Sequence, residues 1–425
     1  MKIVTAEAFF QSNRSGISQL NTKVDDLVLS IIQEVQKRGD QALLEYTEQF
    51  DGAKLEQLYV QEEEFESALA EIPNELKQAL MQAKQQIEMF HEKQKEASWY
   101  DNFRPGVTLG QKITPIERVG IYVPGGKAVY PSTVLMNVIP AQIAGVKELI
   151  IATPPRADGT IDPVILAAAQ IAGVKKIIKV GGAQAIAALA YGTASIPKVD
   201  KITGPGNQFV ARAKKWVFGD VAIDMIAGPS EICIYADEST NPSFAAADLL
   251  SQAEHDERAQ AICVTVSQQV ALTIQAEVKQ QLSRLKRKKI AEESILNEGA
   301  IILVRDEKEA IAVMNRIAPE HLQLMNINAV ETVDAIQHAG AIFIGQFSAE
   351  VVGDYLAGPN HTLPTSGTAR FSSPLGVYDF MKRSSVIHYS EAALLREADA
   401  ILTIAEQEQL EGHAQAIRIR KGAFK

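Results

Sequence analysis

Apolar positions along the chain keep two rhythms, and the point where one replaces the other divides it. Over residues 24–37, Leu27, Ile31, Ile32 and Val35 recur at helical spacing, and Gly39 follows as a stop. A second helical stretch, residues 72–97, is rich in Gln, Lys and Glu, and reads as an outer helix packed by one stripe. His91 within it reads as a surface or satisfied side chain. At Arg118 the rhythm changes. Val119-Gly120-Ile121-Tyr122-Val123 is a short continuous apolar run, the mark of a buried strand, with Pro124-Gly125-Gly126 directly behind it. A helix from about 132, a strand at 148–152, and a helix opened by Asp162-Pro163 and ended at Gly173 follow. The alternation continues with strand 176–180, helix 183–191, strand 199–203 and helix 208–217.

A repeat inside this region defines the winding. Ala141-Gln142-Ile143-Ala144-Gly145-Val146-Lys147 recurs identically at 169–175, and both copies end a helix on Gly and lead into a strand. A helix-to-strand unit of that length is one turn of a βαβ winding, so the sheet is parallel. Ala227-Gly228-Pro229-Ser230-Glu231 opens a third section. Its strands at 232–236, 261–266, 300–304 and 341–344 alternate with helices, the first capped by Asn241-Pro242. Regularity fades from about Phe371 into a charged helical tail with too little apolar surface to stand alone. The expected fold is α/β, with two Rossmann-like parallel-sheet domains and small helical terminal segments. The expected boundaries are an N-terminal helical segment at 1–23, a discontinuous first α/β domain at 24–118 and 230–370 carrying the metal site, a second, nucleotide-binding α/β domain at 119–229, and the tail at 371–425.

Composition narrows the class without changing that picture. A chain of 425 residues, 46% hydrophobic and 22% charged, is ordinary for a globular protein of several domains. Its formal charge of −10 argues against nucleic-acid binding. The basic run from Arg284 to Lys289 is expected to end a long helix, where it complements the helix dipole. Cys233 and Cys263 sit in separate apolar runs and read as buried strand residues, with no disulfide framework or thiolate metal site. No signal pattern and no bilayer-spanning apolar run occurs, so the expectation is a cytoplasmic protein that does not bind membranes.

Candidate chemistry concentrates in a few places. Pro124-Gly125-Gly126, Gly181-Gly182 and Gly204-Pro205-Gly206-Asn207 follow strands directly, either as plain tight turns or as backbone cradles for a nucleotide phosphate. None is a Gly-x-Gly-x-x-Gly fingerprint, and no Walker sequence is present. Gln252 and His255, in Ser251-Gln252-Ala253-Glu254-His255, share one helix face that is either solvated or turned to an ion. Glu320-His321 joins a carboxylate to an imidazole, either an acid–base pair or a surface Glu beside a structural His. Gln252, His255, Asp354 and His413 together would make an N2O2 metal site, although spacing does not show that they converge. His338 and His388 read as structural.

These stretches together make the chain resemble the histidinol dehydrogenases over essentially all of its length. The matching runs include Val119 to Gly126, Gly181 to Ala187, Gly204 to Asn207, Ala227 to Glu231, Ser251 to His255 and Ala318 to Leu322. Gly353-Asp354-Tyr355, Gly358 to Pro364 and Phe380 to Val386 complete them. The resemblance implies a zinc enzyme that oxidises L-histidinol to L-histidine through bound histidinal, at the end of histidine biosynthesis, with two NAD+. It places the Zn2+ ligands on Gln252, His255, Asp354 and His413. Substrate contacts fall on Ser230, Gln252, His255, His321, Asp354, His361, Glu408 and His413, and NAD contacts on Tyr122, Gln184 and Asn207. It implies Glu320 as the residue that activates water, His321 as the general acid and base, and a homodimer whose C-terminal tail completes the partner's site. Asp256-Glu257-Arg258 is more charged than the family's turn and touches none of these residues. Two rivals stand beside this reading: a relative that oxidises another zinc-chelating or sulfonated alcohol, and a non-catalytic metal-binding homologue.

Overall fold

The run at 119–123 forms the strand Arg118–Tyr122 at the centre of a five-stranded parallel sheet. The order across that sheet is Ile177–Ile178, Glu148–Ala152, Arg118–Tyr122, Lys201–Thr203, Ala222–Ile223. Numbered along the chain this is 3-2-1-4-5, a Rossmann winding. Both copies of the repeat do the same work. The helices Pro131–Ala144 and Pro163–Ala172 end on Gly145 and Gly173, with φ of 92° and 83°. Val146 and Val174 N–H then donate to the Ala141 and Ala169 carbonyls at 3.0 and 2.8 Å. This left-handed cap turns each chain directly into its strand.

A second parallel sheet has six strands, ordered Lys2–Thr5, Ala300–Leu303, Gln260–Thr265, Glu231–Ala236, His321–Leu324, Ala341–Ile344. Without Lys2–Thr5 its order is again 3-2-1-4-5. Every residue of Glu231–Ala236 is buried, which is why that strand lacks alternation. Each fully buried Ile there contributes about 1.5–3 kcal/mol. Cys233 and Cys263 are buried in this sheet and unpaired, as expected. Both sheets lie in one compact unit, Met1–Gln94 with Ile116–Phe380.

The remaining chain, Lys95–Pro115 with Met381–Lys425, forms the other compact unit. Here the tail departs from the helical expectation. Met381–Tyr389 is a nine-residue strand, antiparallel to Val107–Pro115, which pairs in turn with Trp99–Arg104. Its exposed, mixed-polarity face carries no strand alternation, and its partner is far away in sequence. Helices Glu391–Gln407 and Glu411–Gly422 follow. Arg104 ties the strands to the first of these, donating to Glu397 at 2.7 Å.

The computed structural model describes residues 1–12, 22–125 and 129–422. Gly126 of the first glycine turn, residues 13–21 of the N-terminal segment and residues 423–425 of the tail lie outside them. Two further local differences stand out. The helix before the basic run ends at Leu282, and Lys288–Asn297 begins a new helix, so the run joins two helices. The expected 72–97 helix ends at His91, which is buried with Nδ1 2.9 Å from the Ile87 carbonyl. Among the described residues no helix is long and apolar enough to cross a membrane.

Candidate active site

Strands Glu231–Ala236 and His321–Leu324 lie side by side in the six-stranded sheet, and their amino ends carry the titratable groups. His321 Nδ1 lies 3.0 Å from the Glu231 carbonyl oxygen. A carbonyl only accepts, so Nδ1 holds the proton and Nε2 keeps its lone pair. Glu320, just before the strand, accepts at Oε2 from Glu231 N–H at 2.8 Å and lies 3.6 Å from His321 Nδ1. The helix Pro242–Ala253 runs back from the far end of its strand, so its last turn returns Gln252 toward the starting edge. His255 lies not on the helix face expected for it but in the turn just past the helix end, its N–H donating to the Gln252 carbonyl at 3.2 Å. Glu350 and Asp354, four apart on the helix Glu350–Tyr355, share a face. Ligand atoms of His321, Glu350 and Asp354 lie within 4.8 Å of one another.

His361 joins this cluster to the other sheet. Its Nδ1 is 3.2 Å from the Asp354 carbonyl oxygen and 3.8 Å from the Asp354 carboxylate. With Nδ1 donating to the carbonyl, Nε2 accepts from Thr133 Oγ1 at 3.4 Å. Thr133 belongs to the helix Pro131–Ala144 of the five-stranded sheet, whose Met136 carbonyl also accepts from Asn360 Nδ2 at 2.6 Å. The carboxyl side of one winding is thus tied to the amino edge of the other.

Burial sets the electrostatics of the cluster. It pushes Glu320 well above the usual carboxylate range, reinforced by the charges of Glu231, Asp354 and Glu350 and opposed by the Glu231 N–H. Glu350 is pushed up to about 8 by burial and then by Asp354, and Glu231 to about 7 by burial. Burial holds His321 below the usual imidazole range, against the pull of Asp354 and with further lowering from His255 and His361. Four acidic residues and three imidazoles crowded together suit proton transfer and a cation. The Gln252 amide oxygen is buried with no donor, an orphan that a cation would satisfy. The donor types of Gln252, His255 and Asp354 are ones that zinc takes, while the ligand atoms within 4.8 Å of one another are those of His321, Glu350 and Asp354.

The glycine turns converge at the carboxyl edge of the five-stranded sheet. A Cβ at Gly125 or at Gly181 would meet the Pro154 side chain at 2.6 Å, and one at Gly204 (φ 109°) would strike the Tyr122 carbonyl. Glycine is required at these places because the direction a side chain would take is already filled by Pro154 or by the Tyr122 backbone, so the three turns pack tightly against one another's strands. Tyr122 is buried, and its hydroxyl accepts from Gly182 N–H at 3.1 Å. Burial pushes it up to about 12, so it stays protonated. Gln184 is buried in the first turn of the next helix. Asn207 is exposed and caps the helix Gln208–Val217, accepting from Phe209 and Val210 N–H at 3.0 and 3.2 Å. Its amide NH2 remains a spare donor.

Ser230, Gln252, His255, Glu320, His321, Asp354 and His361 therefore belong to one unit, together with Tyr122, Gln184 and Asn207. Ser230 directly precedes Glu231, and its carbonyl accepts from Gln260 N–H at 2.9 Å. Glu408 and His413 belong to the other unit, where both are exposed. Sequence reasoning passed over Glu350, which accepts from Ser251 Oγ at 3.1 Å while its Oε1 lies buried without a donor. The Glu350/Asp354 spacing on a helix face was the available signal. It also gave no role to Glu231, whose carboxylate accepts from Ser366 N–H at 2.8 Å.

Comparison with known proteins identifies the family. A sequence model of the family described as histidinol dehydrogenase matches residues 15–421. Histidinol dehydrogenase of Oceanobacillus iheyensis is 55% identical over 422 residues, covering 99% of each chain. The Listeria monocytogenes enzyme of that name is 53% identical over 423 residues, again 99% of each. A crystal structure of histidinol dehydrogenase from Elizabethkingia anophelis superposes with a TM-score of 0.94 at 40% identity, covering 99% of this chain and 98% of that one. The chain is an oxidoreductase and belongs to the histidinol dehydrogenase family.

Proposed function

We propose that the protein oxidises L-histidinol to L-histidine, through L-histidinal held in the site, as a zinc-dependent and NAD-dependent enzyme of histidine biosynthesis. The observation that carries this reading is the His321 imidazole, with Nδ1 committed to the Glu231 carbonyl and Nε2 turned toward Glu350 and Asp354. Gln252, His255 and Asp354 would hold zinc, with His413 as the fourth ligand. Zinc, when bound, supplies the charge that orients the amine and imidazole nitrogens of histidinol, and NAD+, when bound, accepts a hydride in each oxidation.

The chain's own residues handle the protons. His321 Nε2 takes the alcohol proton as the carbinol carbon gives up its hydride. Its low proton affinity keeps it free to do so and to release the proton afterwards. Glu320 takes a proton from water as the oxygen adds to the aldehyde carbon. Once that buried carboxyl has given up its own proton, its raised proton affinity makes it a stronger base than a carboxylate in water. His321 then takes the hydrate proton in the second oxidation. Ser230 and His361 border the substrate, and burial of the cluster shields the aldehyde from loss. Tyr122, Gln184 and Asn207 would contact NAD+ at the glycine turns. Glu408 and His413 would arrive from the tail of a second copy in a homodimer, which accords with their exposure.

The reaction's stoichiometry tests the reading. Purified protein given limiting histidinol and excess NAD+ should release two NADH per histidinol, with histidine as product. Turnover of other alcohols but not of histidinol would overturn it. Chelation should abolish activity, and added zinc should restore it.

A further inference from the structure

Asp51 closes the helix Asp40–Asp51, where the backbone carbonyls repel a carboxylate and no basic residue stands in the last turn. Its Oδ2 is sealed from solvent with no hydrogen-bond donor, and burial pushes the group up to about 6. Both features disfavour the free protein, and no group in the described chain offsets them. Asp51 is only half-buried, and a donor from outside the chain that meets its other, unsealed oxygen would offset them.

Its place in the fold says which donor. After Gly52 (φ 71°) the chain runs along the edge of the five-stranded sheet, where Lys179 N–H donates to the Leu58 carbonyl at 2.7 Å and Val60 N–H to Ile177 at 3.0 Å. A Cβ on Gly52 would touch Ala157, and one on Gly159 would meet Leu55. Both contacts are with the loop that follows the second strand of the winding, Glu148–Ala152. The Asp51 charge also reaches the Tyr122 hydroxyl at the end of the first strand. In a sheet wound this way, a carboxylate at the end of the second strand commonly reads the ribose 2′-hydroxyl of NAD. Here that strand end reads Thr153-Pro154-Pro155-Arg156, with no acid. The acids further along are engaged: Asp158 accepts from Thr160 N–H and Oγ1 at 2.9 and 2.6 Å, and Asp162 caps the next helix at Val164 N–H and pairs with Arg156.

We propose that Asp51, delivered by a helix outside the winding, is the carboxylate that accepts hydrogen bonds from the adenosine ribose hydroxyls and excludes a 2′-phosphorylated dinucleotide. The inference rests on the dinucleotide reading above. A 2′-phosphate would bring negative charge against this carboxylate, whereas a diol supplies the donors it lacks.

The test is direct binding of NAD+, NADP+ and 2′-deoxy-NAD+ to zinc-loaded wild type, Asp51→Ala and Asp51→Asn, read by calorimetry with melting curves alongside. Wild type should prefer NAD+ over NADP+ by about 100-fold or more, and Asp51→Ala should weaken NAD+ about tenfold without weakening NADP+. The 2′-deoxy analogue should bind wild type weakly and Asp51→Ala no worse than NAD+ does. Asp51→Asn, which keeps the shape and removes an uncompensated half-buried charge, should also lose the preference, and it carries the test if the alanine variant fails to fold. Equal weakening of both nucleotides, or an unchanged preference in a folded variant, would overturn the proposal. Wild type that binds no dinucleotide would instead overturn the dinucleotide reading itself.

Discussion

A histidine is a useful base only while it is neutral, and a carboxylate only while its proton affinity approaches that of what it deprotonates. Burial drives His321 and Glu320 in those opposite directions because it disfavours whichever form is charged. Replacing His321 with Gln should lower kcat by about 10²–10⁴-fold while the protein stays folded, as steady-state assays and melting curves would show. Glu320→Gln should slow aldehyde oxidation more than alcohol oxidation, so that histidinal accumulates and fewer than two NADH appear per histidinol. Glu231 makes a separate prediction about stability. Its carboxyl stands at about 7 in the native protein against an ordinary 4.5. Between those values the native state keeps a proton that the unfolded chain has lost, so stability falls as pH rises through the window. The loss is complete above pH 7 and amounts to roughly 3 kcal/mol at most. Glu231→Gln should therefore melt higher than wild type at pH 8 and not at pH 4, with Ser366 N–H still accepted by the amide oxygen. Equal shifts at both pH values would contradict this origin.

At the scale of elements, the Gly204 turn is clamped by a buried ion pair. Lys214 and Asp224 bond each other with both side chains at 2% exposure or less. Lys214 Nζ donates to the Gly204 carbonyl at 3.0 Å, and Asp224 accepts from Gly204 N–H at 2.8 Å. Removing one partner leaves the other charge buried alone, so Asp224→Asn should cost about 3–5 kcal/mol in denaturant unfolding and weaken NAD+ binding. A loss below about 1 kcal/mol would mean that the turn holds without the pair. Elements also show how far the sequence could be read. The central strands and the repeated helix ends were legible because continuous apolar runs and Gly caps are local signals. Met381–Tyr389 was not, since its polar residues form a strand only through distant partners.

At the scale of the whole molecule, the proposal that Glu408 and His413 come from the tail of a second copy makes a distinctive prediction. Homodimers of His255→Ala and of His413→Ala should each be inactive. Co-expressed or remixed hybrids should regain part of the activity, because one of the two sites in each hybrid would then carry neither substitution. Hybrids as inactive as the parents would argue that each subunit builds its site alone.

Local sequence by itself determined the two windings and their glycine turns, because helix caps and buried strands need no distant partner, while it left open whether Glu320 beside His321 is buried or at the surface. Its likeness to a known family extended this to a ligand set. Only the tertiary structure decided that His321 Nδ1 is committed to the Glu231 carbonyl, that Glu350 stands beside Asp354 and His321, and that the Gln252 oxygen is buried without a donor. Each of these depends on strands from distant parts of the chain starting at one edge, and on water being excluded there, which no spacing along the sequence encodes.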